Sequence, residues 1–179
     1  MPDVFKMLCA VALLAGGLVG CASGPGAMAD SVRAPEDFAL AVTVFPPEDS
    51  IDPVGLEDLP RAQRPAHYLI GADGVLHTSV GLGVSPARVP RPTRRVPAEE
   101  RDRLWRLVDE SGILREDNPF AVDAPLLYQR FDRRSTALVE VTGGGTTEAV
   151  AIDLEAQDPD SSAAWLLVDR LAALSWIRP

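Results

Sequence analysis

The sequence predicts an α+β fold: an antiparallel sheet of about five strands built from two hairpin-helix units, with both helices packed on one face. Three observations carry this expectation. Runs that alternate apolar and polar residues are separated by Asp-Gly and Gly-Gly-Gly turns, two segments place apolar residues at helical spacing, and the order hairpin then helix occurs twice. A hairpin has one apolar face and an amphipathic helix one apolar stripe, so stacking both helices on the same side of one sheet removes all of them from water together.

Residues 37–45 set Phe38, Leu40, Val42 and Val44 against Ala39, Ala41 and Thr43, the period of a half-buried strand. Residues 46–65 are acidic and proline-bearing, which predicts an irregular loop. Residues 67–80 form the clearest hairpin, with Gly74 free to take the positive φ of a tight turn. Residues 85–96 contain Pro86, Pro90 and Pro92 and are expected to leave the sheet, because proline removes a ladder donor. Pro97 suits a first helical position, Glu99 and Glu100 favour the positive end of the helix dipole, and Leu104, Trp105, Leu107 and Val108 recur at helical spacing. Gly112 supplies the stop. After a long loop at 115–133, residues 135–142 and 146–154 alternate Ala137, Val139 and Val141, then Val150, Ile152 and Leu154, around Gly143-Gly144-Gly145. The second helix follows Asp158-Pro159-Asp160, with Asp160 as the expected N-cap and Ala164, Trp165, Leu167, Val168, Leu171 and Leu174 as its buried stripe. Local pattern leaves open where residues 37–45 insert into the sheet.

Ahead of this domain, Met1 to Lys6 gives a short start with one lysine, and residues 7–20 are apolar and small. The run ends in Leu18-Val19-Gly20-Cys21. A stretch of roughly 14 apolar residues reaches only about 21 Å as a helix, too short for a hydrocarbon core of about 30 Å. The tetrapeptide resembles the lipobox of bacterial lipoproteins, in which a small residue precedes the cut and the cysteine thiol takes a diacylglyceryl group. The resemblance implies a signal peptide at 1–20, a membrane anchor through Cys21, a third acyl chain on the new amino terminus and a lipidated tether at 21–36. Two or more acyl chains hold a protein on a bilayer, at about 0.8 kcal/mol per buried CH2. Ala22, rather than Asp, follows the cysteine, which in enteric bacteria directs sorting to the outer membrane. The competing site is Ala27-Met28-Ala29 before Asp30, the A-x-A form whose cleavage would release a soluble secreted protein.

Cysteine usage agrees with the anchor. Cys9 lies in the segment to be removed and Cys21 would be consumed by lipid, so the mature domain keeps no thiol for a disulfide, a metal or a nucleophile. The tether, rich in Gly, Ala and Ser, has a typical coil reach of about 20 Å. Residues 37–179 suit a single domain.

Charge is unevenly placed. Residues 30–60 hold eight acids and one arginine, residues 61–106 nine arginines and four acids, and residues 107–179 thirteen acids and six arginines. A net charge of −9 argues against a nucleic-acid partner. Lys6 is the only lysine, so every cation of the mature domain is an arginine.

From Pro97 onward, the acidic-start helix Pro97-Ala98-Glu99-Glu100 with Leu104, Leu107 and Val108, the glycine-turned strand pair ending near Leu154 and the leucine-bearing terminal helix are similar to emfourin-type protease-inhibitor domains. The resemblance covers about half of the chain. It implies binding to a protease or similar partner rather than catalysis, and it transfers no contact residue.

Candidate chemical sites are few. His67 and His77 flank one turn: a two-residue Asp73-Gly74 loop would put them on opposite faces, and a three-residue Ala72-Asp73-Gly74 loop on the same face, diagonally adjacent. Zinc sites normally use at least three protein ligands, no third is evident nearby, and neither a metal nor another cofactor is expected. Gly143-Gly144-Gly145 sits between two strands rather than before a helix, so it reads as a hairpin turn and not a phosphate cradle. No G-x-S-x-G or H-E-x-x-H motif occurs, and no catalytic residue is assigned. The one concentration suited to recognition is Arg88, Arg91, Arg94, Arg95, Arg101, Arg103 and Arg106, since guanidinium groups pair bidentately with carboxylates and phosphates. Partial neutralisation by Glu99, Glu100 and Asp102 is the competing reading. The 115–133 loop with Phe120, Tyr128 and Phe131 is a second candidate surface. Together these features lead to the expectation of a lipid-anchored, non-catalytic module facing the periplasm. A protease-inhibitor-like lipoprotein is the alternative, and a secreted soluble protein or hydrolase comes third.

Overall fold

A computed structural model describes residues 33–47, 55–115, 117, 118, 120 and 134–175. The chain divides into two units, Met1–Asp30 and Ser31–Pro179, and every described residue belongs to the second. The lipobox Leu18-Val19-Gly20-Cys21 and the tether up to residue 32 lie outside the described residues, as do Tyr128 and Phe131.

The described unit is α+β. Its strands are β1 (Ala39–Phe45), β2 (Ala66–Ile70), β3 (Val75–Val80), β4 (Arg91–Arg95), β5 (Thr136–Gly143) and β6 (Thr146–Asp153). Its α-helices are α1 (Ala98–Ser111) and α2 (Ala163–Ser175), and a short 3-10 helix spans Arg61–Gln63. The strands form one sheet in the order β4-β3-β2-β1-β5-β6, and every neighbouring pair is antiparallel. The first strand is therefore central: Val42 stands between Tyr68 of β2 and Val139 of β5.

Register explains the core. Leu40, Val42 and Val44 are cross-strand neighbours of Ile70, Tyr68 and Ala66 on one side and of Val141, Val139 and Ala137 on the other, so all share a face. These residues join Leu104 and Val108 of α1 and Leu167, Val168 and Leu171 of α2 in one buried cluster. Fully burying an aliphatic side chain contributes about 1.5–3 kcal/mol, which makes this layer the main source of stability. The helices are also tied to each other. The Arg170 guanidinium donates twice to the Glu100 carboxylate, at 2.5 and 2.6 Å, and holds that carboxyl below the usual glutamate range. At one end of the sheet Trp105 meets Phe38 edge-on, with ring centroids 5.4 Å apart, and lies over Gly143.

Three sequence expectations need correction. Residues 85–96 do not leave the sheet: Arg91–Arg95 form β4, with a register irregularity opposite Leu76 and His77. β4 is an edge strand, where proline is tolerated because one row of backbone donors faces away from any partner. Pro97 is the N-cap of α1 rather than its first helical residue. At α2, Asp160 is not the cap; the Ser162 hydroxyl accepts from the Trp165 amide at 3.4 Å, while Asp158 gathers the Asp160 amide and the Ser161 hydroxyl. Gly112, by contrast, ends α1 in the left-handed conformation, at φ 76°.

Candidate functional site

The β2–β3 hairpin takes the three-residue register. Ile70 pairs with Leu76 and Leu69 with His77, so His67 and His77 share the face opposite the helices. Among the described residues, no group of three or more metal-binding side chains occurs. His67 is 4 % exposed and its Nδ1 is hydrogen-bonded to the Thr43 hydroxyl at 2.8 Å; Thr43 is itself only 2 % exposed. Burial lowers the His67 pKa, which keeps the imidazole neutral. His77 points its Nδ1–H at the Pro90 carbonyl, 3.0 Å away, and this bond fastens the β3–β4 connection to the sheet.

That connection, residues 81–90, encloses a cavity of about 300 Å³ against the hairpin. His67, Thr78, Ser79, Ser85, Arg88 and Arg91 are its polar lining residues, and no carboxylate is among the described residues that line it. The Thr78 hydroxyl is buried with no hydrogen-bond partner. A buried hydroxyl normally finds a partner, so this one marks a place where a donor or acceptor is lacking. Arg88 and Arg91 are exposed, and neither guanidinium has an ion-pair partner among the described residues.

The seven-arginine concentration is thus not one surface. Arg88 and Arg91 lie at this cavity. Arg95 and Arg101 line a second, shallower one of about 450 Å³ at the start of α1. There Asp73 is also in the lining, Arg95 is spent on the Asp73 carbonyl at 2.9 Å, and the Glu100 and Arg101 amides already bond Pro97. Arg94 stands opposite Leu76, Arg103 lies 3.6 Å from Glu100, and Arg106 is exposed on α1. Among the charges singled out from sequence, the structure brings Arg88 and Arg91 together with His67 and leaves the rest elsewhere.

The Gly143-Gly144-Gly145 turn is a hairpin, with Gly143 pairing Thr146 and positive φ at both Gly144 and Gly145. Its two amides donate to the Asp37 carboxylate at 2.9 and 2.7 Å, which holds Asp37 below the usual aspartate range and occupies the donors a phosphate would need. Phe120, from the second candidate surface, packs against the core rather than standing free.

Sequence reasoning missed the exposed apolar residues around the loop that borders the first cavity. Val80, Leu82 and Val89 are 63, 45 and 76 % exposed, and with Leu166 they are the exposed large hydrophobic residues among those described. Three of these four therefore fall within ten residues around one loop. No family model matches the chain, and no curated protein is significantly similar to it.

Proposed function

We propose that this chain is a lipid-anchored envelope protein facing the periplasm, placed at the outer membrane by Ala22 after Cys21, and that it acts as a non-catalytic binding module. The observation that carries the anchor is Leu18-Val19-Gly20-Cys21 at the end of an apolar run too short to cross a bilayer. No helix among the described residues is long and apolar enough to do so either.

The binding assignment is supported by the groups at the β3–β4 cavity. Arginine stays charged at neutral pH and cannot exchange a proton there, so Arg88 and Arg91 are suited to hold an anion rather than to perform acid–base steps. His67 is the one imidazole of the lining; burial lowers its pKa, and its Nδ1 is engaged by a buried threonine. Ser79 is its cross-strand neighbour, yet no hydrogen bond joins the two among the described contacts. A nucleophile and base would need that bond.

Fractionation tests the anchor. The wild-type protein is expected in the membrane pellet and to be solubilised by detergent, whereas Cys21→Ser is expected to remain an uncut precursor. Equal processing and release of both proteins would refute the assignment.

A further inference from the structure

We propose that the β3–β4 loop, residues 81–90, docks on an anionic phospholipid surface, with a lipid phosphate held between Arg88 and Arg91 and with Leu82, Val80 and Val89 against the lipid. The inference rests on the anchored reading above and adds a second, non-covalent contact with the bilayer.

Four observations point the same way. The cavity beside the loop is lined by Arg88 and Arg91, which have no ion-pair partner among the described residues, and by Thr78, Ser79 and Ser85, with no carboxylate among its described lining residues. Guanidinium forks and hydroxyl donors are the groups that match phosphate oxygens. The basic character extends beyond the cavity: no acid occurs between Asp73 and Glu99, while Arg88, Arg91, Arg94 and Arg95 all do. In a chain of net charge −9, an anionic surface meets no acidic side chain belonging to this segment.

The apolar side chains supply the second element. Leu82 is 45 % exposed between Gly81 and Gly83, both at positive φ, so the backbone turns sharply on either side of it. Val80 and Val89 flank it at 63 and 76 % exposure. A soluble anion would need the cations and hydroxyls but gives no reason for three aliphatic groups in water beside them. A lipid interface accounts for both, since aliphatic side chains enter the headgroup boundary while arginines stay at phosphate level.

Chain length permits the contact. Residues 22–36 extend to about 50 Å at most, longer than the roughly 23 Å rise of the seven-residue β1. Each arginine near an anionic leaflet contributes a factor of about five to the docked population, so the pair contributes roughly 25-fold.

The test uses the full mature, acylated protein in vesicles. With Cys9 removed and Cys21 acylated, Leu82→Cys creates the sole free thiol, which takes a polarity-sensitive fluorophore. Ala72→Cys, in the turn at the other end of the β2–β3 hairpin, is the control. On vesicles containing phosphatidylglycerol, the label at 82 should shift to the blue and the label at 72 should not. The shift should be absent on pure phosphatidylcholine, fall in 0.5 M salt, and be lost in Arg88→Gln/Arg91→Gln with its melting temperature unchanged.

A label at 82 that stays in water on anionic vesicles overturns the proposal, as does an equal shift at 72. So does tight binding of inorganic phosphate at this cavity with no shift on vesicles, which would assign the site to a soluble anion. Failure of the anchor reads differently by mass: an uncut chain takes the label at Cys9 and Cys21 as well, and a chain starting at Asp30 has lost Cys21 and carries no lipid. A protein of that kind that still buries residue 82 on anionic vesicles supports docking alone, and one that stays off all vesicles overturns both.

Discussion

At the scale of single residues, Gly143 is a packing requirement. A Cβ built there would lie 2.5 and 2.6 Å from two carbons of the Trp105 ring, which is held in turn by Phe38. Gly143→Ala is expected to cost about 1–3 kcal/mol in urea unfolding, the range of an overpacked core site, and a change within about 0.5 kcal/mol would contradict the contact. Sequence reading took this glycine only as a turn residue, because nothing local announces a tryptophan arriving from a helix 38 positions earlier.

Among the residues that shape the acid side of stability, two have folded pKa values set below their ordinary ones by packing between elements: His67 through burial and Glu100 through Arg170. A group depressed on folding gives its full contribution above the unfolded pKa and loses it as pH falls through the folded value. His67 therefore starts to weaken the fold as pH drops below the ordinary histidine range, and Glu100 follows below the ordinary carboxylate range. An NMR titration of the His67 ring should give a midpoint below about 6.5, and a midpoint at or above that value would contradict its burial. Glu100→Gln is expected to lose about 1 kcal/mol at neutral pH, discounted because the Arg170 side chain is partly exposed, with the difference from wild type closing in acid.

At the scale of elements, the strongly periodic segments were legible and the edge was not. Residues 37–45, both hairpins, the helix ending at Gly112 and the terminal helix all appear where alternation or helical spacing places them. β4 escaped because three prolines in twelve residues argue against a strand in general, and only knowledge of its edge position removes the objection. Strand order escaped because β1 pairs with β5 across about a hundred residues, a choice that no local window encodes. The α2 cap was misplaced because Asp160 and Ser162 are both good cap residues, and the geometry favours the second. Ser162→Ala should cost about 1 kcal/mol in thermal or urea unfolding, and Asp160→Ala distinctly less; the reverse order would return the cap to Asp160.

At the scale of the whole molecule, the candidate site was half visible. The arginine concentration stands out in the sequence, and two of its members, Arg88 and Arg91, reach a common cavity because the loop between β3 and β4 folds back on the hairpin. The other five disperse, since a strand sends neighbouring side chains to opposite faces and a helix spreads them around its axis. His67 joins the cavity through a register that the turn sequence alone left undecided. The exposed valines and leucine were present in the sequence as well, but exposure is a property of the fold.

The central claim is the proposed covalent anchor at Cys21, on which the compartment and the surface for the proposed docking loop both rest. Intact mass measurement of the mature protein, extracted from the cells that make it, tests this most directly. The account predicts a chain that starts at Cys21 and carries a diacylglyceryl group, with a further acyl chain on its amino terminus. A bare chain starting at Asp30, or an uncut precursor starting at Met1, would contradict it.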